Sequence, residues 1–194
     1  MRDYKEIEKL ANMLNLSQSD RKRWHRMISD EERMLRQQSK LRGEYLMWFA
    51  SLESALEETI ATHFCTEEDY RNMLCSSVLG KVQFTRKIEI LNDILCSYDD
   101  SADIQRLRKN MPDLKKINKF RNDLAHRAPD VSNAYANDRV DTNNIRLYIR
   151  EGKEVKSKEI TILEFEKKLN EIKHACAILR FATAYVNRPC TSDS

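Results

Sequence analysis

The sequence predicts an all-α protein, an up-and-down helical bundle with one small β-hairpin inserted before the last helix. Three observations lead to this fold class. The 194 residues include only 3 Gly and 3 Pro, while 34% are charged, so the chain lacks the frequent turns of a many-stranded protein. Apolar residues recur at helical spacing along most of the chain. One stretch, residues 145–160, instead alternates around a glycine as two paired strands do.

The first third of the chain predicts two helices. Residues 2–16 carry apolar side chains at helical spacing and end at the polar sequence SQSD. Helical character is then almost continuous from about residue 20 to residue 65. After Gly43 this segment has one apolar stripe, so we expect it to be the central core helix. The stripe consists of Tyr45, Trp48, Phe49, Leu52, Leu56, Ile60 and Phe64.

Shorter helices are expected in the middle of the chain. Thr66 resembles an N-cap for a helix over residues 67–79, and residues 84–95 place apolar side chains at clean helical spacing. Residues 104–109 predict a short helical turn. Pro112 fits the first turn of the next helix, because proline lacks an N–H that would be unpaired there.

That next helix contains the sequence KINKFRNDLAHRAP, residues 116–129, and should end near Arg127 because Pro129 cannot continue it. A polar stretch follows over residues 130–144, and then the hairpin. Thr161 and Glu164 form a capping box that starts the last helix. We expect a single domain over residues 1–188 and a disordered tail over residues 189–194.

Composition limits the compartment and the partners. The formal net charge of +3 arises from nearly balanced totals, so affinity for nucleic acid requires local clustering. Five cysteines form no CxxC pair, which favours reduced thiols in a cytoplasmic protein and argues against a zinc site. The apolar runs are far shorter than a membrane span, so no membrane partner is expected.

The helix over residues 112–127 has two distinct faces. Its apolar residues, Leu114, Ile117, Phe120 and Leu124, fall on one side and should pack into the bundle. Nearly opposite, at positions i, i+4, i+7 and i+11, lie Lys115, Lys119, Asn122 and His126. Arg121 lies at the edge of the apolar stripe. An ordinary solvated helix face has the same composition, so geometry alone leaves both interpretations open.

The same residues suit one specific reaction. RNA is cleaved without metal when a base removes the 2′-hydroxyl proton and a cation stabilises charge on the attacked phosphate. A histidine suits the first role because its pKa lies near neutrality, and an arginine suits the second because its charged fork matches phosphate oxygens. The nearby cations, which could hold the RNA backbone, are Lys115, Lys116, Lys119 and Arg127.

The sequence RNDLAH resembles the R-x-x-x-x-H signature of the HEPN superfamily, with a polar residue after the arginine. The resemblance extends over residues 41–126, because YLMWFASLESALEETIATHF, FTRKIEILNDIL and KINKFRNDLAH resemble successive helices of such a bundle. It implies a helical homodimer in which two motifs face one another. It also implies a metal-independent endoribonuclease, without a cofactor, in a toxin or phage-defence setting. Arg121 and His126 would be catalytic, and Asn122 would orient the site or bind phosphate.

Two departures from the family pattern bear on partners. The toxin subgroup that pairs with a nucleotidyltransferase antitoxin usually has a tyrosine two residues after the histidine, where this chain has Ala128. This difference leaves open whether the partner of this chain is such an antitoxin or another regulatory protein. The hairpin is an addition to the minimal bundle of the family. Two roles remain open for it: a surface that binds a partner, or a flap that controls access of the substrate.

Other functional classes remain to be weighed. The same bundle could bind RNA or protein without cleaving, as some superfamily members do. Glu53, Glu57 and Glu58 could suggest a carboxylate-bridged di-metal site, but the Glu-x-x-His pairs that such bundles need are missing. His63 and His174 have no ligand partners by spacing, so we expect them to be structural or exposed.

Overall fold

The computed structural model describes residues 4–98, 102–129, 144–151 and 154–186. It is mostly helical with one two-stranded antiparallel sheet, as the sequence predicts. The described helices are α1 (Tyr4–Met13), α2 (Gln18–Phe64), α3 (Glu68–Ser77), α4 (Phe84–Ser97), α5 (Ala102–Asn110), α6 (Leu114–His126) and α7 (Ile162–Val186), with a 3-10 turn at Leu79–Lys81. The strands are β1 (Asn144–Glu151) and β2 (Glu154–Thr161).

The chain divides into two compact units. Unit 1 comprises Met1–Gly43 and His126–Glu164, and unit 2 comprises Glu44–Ala125 and Phe165–Ser194. A single domain over residues 1–188 stays a prediction. The predicted tail, residues 189–194, and nearly all of the polar stretch 130–144 lie outside the described residues.

Unit 1 contains the tight connection between α1 and α2. Asn15 has a φ of 50°, a left-handed conformation that asparagine tolerates better than most residues. The Ser17 hydroxyl then caps α2 by accepting a hydrogen bond from the Asp20 backbone N–H at 3.2 Å. Arg21 donates from Nε to the Leu16 carbonyl at 2.9 Å. These bonds fix the turn, and they give Arg21 a structural role.

The hairpin of unit 1 pairs its strands in register from Asn144 opposite Thr161 to Glu151 opposite Glu154. Its buried side chains are apolar, with Ile145, Leu147 and Ile160 almost completely inaccessible to solvent. The strand β1 also pairs with the chain that follows α6. The Tyr148 N–H donates to the Ala128 carbonyl at 3.0 Å, beside an antiparallel bridge between Pro129 and Leu147.

The core of unit 2 is built around three aromatic rings from different helices. The Tyr45 ring on α2 lies 4.9 Å from Phe120 on α6 and 6.0 Å from Phe165 on α7, both edge to face. Such pairs stabilise a core beyond the apolar area that they bury. The Tyr45 hydroxyl donates to the Ile117 carbonyl at 3.4 Å, so the phenol keeps a polar partner in the interior. This cluster sets the position of α6 within unit 2.

Two predicted helix starts are wrong. The N-cap of α3 is Glu67 rather than Thr66, and it makes no side-chain capping bond. Helix α6 begins at Leu114, so Pro112 lies before its first turn. The reason is that Asp113, not the proline, supplies the cap. The predicted cap of α7 is confirmed, since the Glu164 N–H donates to the Thr161 hydroxyl at 3.1 Å.

Candidate functional site

Helix α6 starts at a carboxylate cap. The Lys116 backbone N–H donates to Asp113 Oδ1 at 3.0 Å, and the Ile117 N–H donates to the Asp113 carbonyl at 3.1 Å. The hydrogen bond from the Lys116 backbone, with smaller contributions from the Lys116 side chain, lowers the pKa of Asp113. A negative charge at this end is favourable because unpaired N–H groups give the first turn a positive potential.

The two faces of α6 match the sequence prediction. Its four apolar residues are buried, and Lys115, Lys119, Asn122 and His126 are all exposed. Arg121 is half-buried, as its position at the edge of the apolar stripe predicts. The folded chain therefore presents the predicted polar stripe to solvent.

Arg121 is held by two contacts. Its guanidinium carbon lies 5.2 Å from the centroid of the Phe49 ring, which is itself buried against Phe84 with 4.7 Å between ring centroids. Its Nη1 donates to Asn122 Oδ1 at 3.0 Å. The Nε atom is buried and has no hydrogen-bond partner among the described residues. The guanidinium is thus oriented by a rigid aromatic ring while one of its donors remains unused.

Asn122 links the arginine to the exposed stripe. Positions 121 and 126 are five residues apart, which on an ideal helix separates them by about 140° around the axis. Positions 122 and 126 are four apart and differ by only about 40°, so Asn122 shares the exposed face with His126. The hydrogen bond from Arg121 to Asn122 therefore turns the guanidinium toward that face.

His126 is the last residue of α6, and the backbone that follows it is fixed within unit 1. The Arg127 carbonyl accepts a hydrogen bond from Arg42 Nη2 at 2.9 Å. This bond places a cation beside the carbonyl end of the helix, where the backbone potential is negative, and burial lowers the pKa of that guanidinium. The next carbonyl, of Ala128, accepts the bond from Tyr148 described above.

The predicted RNA-binding cations differ in their availability. Lys115 and Lys119 are exposed, and their ammonium groups make no ion pair or hydrogen bond with another described residue. Lys116 is also exposed, but its ammonium lies 3.2 Å from the Asp113 carboxylate. Arg127 is half-buried. Lys115 and Lys119 are consequently the cations best placed to meet an external anion.

Three residues around α6 were not singled out by the sequence analysis as part of the site. The apolar stripe predicts Phe49 only as a core residue, and no sequence pattern indicates the contact of Arg42 with Arg127. Asp123 had a signal: it follows Phe120 by three positions and so falls on the apolar side, where an acid is unexpected. It is indeed buried, with 8% of its surface exposed.

The competing candidate sites have structural explanations. Glu53 and Glu57 bind the buried ammonium of Lys87, with Nζ to Glu53 Oε1 at 2.7 Å. His63 Nδ1 lies 3.0 Å from the Tyr98 hydroxyl, and His174 is exposed. Within the described ranges, no group of three or more His, Cys, Asp or Glu side chains is arranged to hold a metal ion. Among the helices described, none is long and apolar enough to span a bilayer.

Comparison with known proteins finds no matching family model, no matching curated protein and no matching solved structure.

Proposed function

We propose that this protein is a metal-independent endoribonuclease of the HEPN type. The observation that carries the proposal is the arrangement of Arg121: its guanidinium lies over Phe49 and donates from Nη1 to Asn122, while Nη2 is not buried and makes no hydrogen bond with another described residue. A phosphate oxygen is the acceptor that this fork-shaped group fits best.

In the proposed reaction, a base removes the proton from the 2′-hydroxyl and that oxygen forms a bond to the adjacent phosphorus. The bond from phosphorus to the 5′-oxygen breaks, and the leaving oxygen takes up a proton. The products are a 2′,3′-cyclic phosphate and a 5′-hydroxyl. His126 transfers protons, Arg121 stabilises the charge on the phosphoryl oxygens, and Asn122 keeps the guanidinium oriented.

The proposal includes the surroundings of this chemistry. Lys115 and Lys119 hold the RNA backbone, with Lys116 and Arg127 as further cations near it. Two copies associate as a homodimer in the cytoplasm so that their motifs face each other, which covers the exposed His126. A toxin or phage-defence setting, with an antitoxin or regulatory partner, belongs to the same proposal.

The decisive experiment incubates purified protein with end-labelled mixed-sequence RNA in EDTA. We expect fragments that end in 2′,3′-cyclic phosphate from the wild type and none from His126→Ala. The matched control is His174→Ala, which removes another exposed histidine and should leave cleavage unchanged. Light scattering after size exclusion gives the oligomeric state of each sample.

Equal cleavage by the wild type and His126→Ala would reject the catalytic role of this histidine. Intact RNA in all samples, together with RNA binding that weakens when Lys115 and Lys119 are neutralised, would instead support the alternative function of a non-catalytic RNA-binding scaffold. The observation that favours this alternative is that the ammonium groups of these two lysines are exposed and make no ion pair with another described residue.

A further inference from the structure

The first half of α2, residues 18–43 of unit 1, carries a row of positive charges along one side. Counted together with Ser29, the row advances by four, three, four, three and four residues. These steps average one turn of an α-helix, so the side chains lie in a straight line about 27 Å long. We call its five basic residues the cationic stripe: Lys22, Arg26, Arg33, Arg36 and Lys40.

The cationic stripe is exposed along its whole length. All five of its residues and Ser29 are open to solvent. The opposite side of the same helical segment packs into unit 1, through Ile28, Glu31, Met34 and Gln38, which are all buried. The packing of unit 1 therefore uses one side of the helix and leaves the charged side to meet another molecule.

The net positive charge of the protein is concentrated in this segment. Residues 18–43 contain eight Lys or Arg and four Asp or Glu, a net charge of +4, whereas the complete chain has a net charge of +3. The remainder of the chain is thus slightly negative. Such local clustering is what affinity for a polyanion requires in a protein whose total charge is small.

Two arginines of the stripe have acidic neighbours. Arg33 Nη2 lies 3.0 Å from Asp30 Oδ1, and Arg36 Nη2 lies 3.7 Å from Glu32 Oε2. Both guanidinium groups are largely exposed, and exposed ion pairs contribute little, so a phosphate can replace the carboxylate. The charged groups of the other three make no ion pair or hydrogen bond with another described residue: Lys22, Arg26 and Lys40.

The stripe has the properties of a surface for a nucleic-acid duplex. It contains no aromatic side chain on which unpaired bases would stack, and no apolar side chain that would enter a lipid layer. A single helix holds its cations in a rigid row. A duplex is also rigid, and it presents about one negative charge for every 1.7 Å of its axis.

We propose that the cationic stripe binds the phosphate backbone of a double-stranded segment of the RNA substrate. This inference rests on the proposed ribonuclease function. It adds that the substrate combines a duplex with the single-stranded site that α6 contacts through Lys115 and Lys119. Contacts to phosphates carry no sequence information, so the stripe recognises the duplex by its shape and charge.

The test titrates the full chain with a labelled 2′-O-methyl RNA duplex longer than the stripe, and with one of its strands alone. This RNA keeps its phosphates but has no free 2′-hydroxyl, so the proposed reaction cannot cleave it. For Lys22→Gln with Arg26→Gln, we expect weaker duplex binding. The slope of log affinity against log salt should fall by about 1.8, because each phosphate contact on a DNA duplex contributes about 0.9. Binding of the single strand should be unchanged.

The matched control is Lys81→Gln with Lys109→Gln, which removes two exposed cations outside the stripe. It should bind the duplex as the wild type does. If the first double variant does not fold, Arg26→Gln with Lys40→Gln takes its place.

Equal losses for the stripe and control variants would show general charge attraction and overturn the proposal. Absence of duplex binding by the wild type, or an equal loss for the single strand, would also overturn it. A DNA duplex of the same sequence is the third ligand, and tighter binding of DNA than of RNA would contradict an RNA substrate. Because no strand can be cleaved, these results do not depend on the ribonuclease assay.

Discussion

The guanidinium of Arg121 lies over the ring of Phe49, with 5.2 Å between the guanidinium carbon and the ring centroid. Arg121 belongs to α6 and Phe49 to α2, so a contact between two helices orients the charge. The ring offers no hydrogen-bond acceptor in its plane. It therefore holds the arginine without using the N–H groups that an anion would need.

Phe49→Leu should lower the cleavage rate about tenfold while the protein stays folded, because a contact between a cation and a ring contributes about 0.5 to 2 kcal/mol. Single-turnover cleavage by folded protein measures this effect. Phe84→Leu is the control, since it removes the neighbouring ring but not the contact with Arg121. In an Arg121→Ala background, Phe49→Leu should have no further effect. Equal losses for both leucine variants would mean that general core damage is responsible.

Neutralising Lys115 and Lys119 together, as glutamines, should weaken RNA binding and flatten its salt dependence. Each phosphate contact on single-stranded RNA contributes about 0.7 to the slope of log affinity against log salt, so the slope should fall by about 1.4. Titrations at several salt concentrations give the slope. A double variant at the exposed Lys40 and Lys109 should leave it unchanged. A similar loss in that control would indicate an effect of net charge rather than a contact surface.

Asp113→Ala should lower the free energy of unfolding by about 1 kcal/mol near neutral pH, the usual effect of losing an N-cap. The folded pKa of Asp113 lies below its ordinary value of 3.8. The contribution of its charge is thus present above pH 3.8 and is lost as the pH falls through the folded pKa. Denaturant unfolding of both proteins across this range should show the difference shrinking in acid. If the difference in free energy of unfolding between the two proteins stays the same at every pH, the charge of Asp113 is not its source.

Lys87→Met should destabilise unit 2 by about 2 to 3 kcal/mol, because it leaves Glu53 and Glu57 without their shared cation. Both carboxylates retain some contact with water, which limits the loss. Adding Glu53→Gln and Glu57→Gln should recover most of it. Chemical denaturation of the single and triple variants measures these changes. If the triple variant is as unstable as Lys87→Met, the lost stability comes from the packing of the aliphatic part of the lysine side chain.

The same ion pair predicts a response to alkali. Burial by itself would lower the pKa of Lys87, but the hydrogen bonds that its ammonium donates to Glu53 and Glu57 outweigh burial and raise the pKa above 10.5. The stability that Lys87 contributes is therefore complete below pH 10.5 and is lost as the pH rises through the folded value. In this pH range the free energy of unfolding should fall more steeply with rising pH for the wild type than for the triple variant.

The spacing of apolar residues predicts the structural features that depend on a single segment of the chain. The faces of α6 and the pairing of the hairpin follow from local patterns, and both are present. The contact between Arg121 and Phe49 joins positions 72 residues apart, and the one between Lys87 and Glu53 joins positions 34 apart. No spacing rule relates such positions. The start of α6 was missed because Pro112 and Asp113 are both favourable there, and only the folded backbone distinguishes them.

The bond from Tyr148 to Ala128 bears on how this chain could change in evolution. It uses the backbone carbonyl of position 128, which every amino acid possesses, while the Ala128 side chain is exposed. Mutation at this position can therefore alter the surface two residues after His126 without removing the anchor. A larger side chain is thus accessible to this protein by substitution at a site that the fold leaves free to vary.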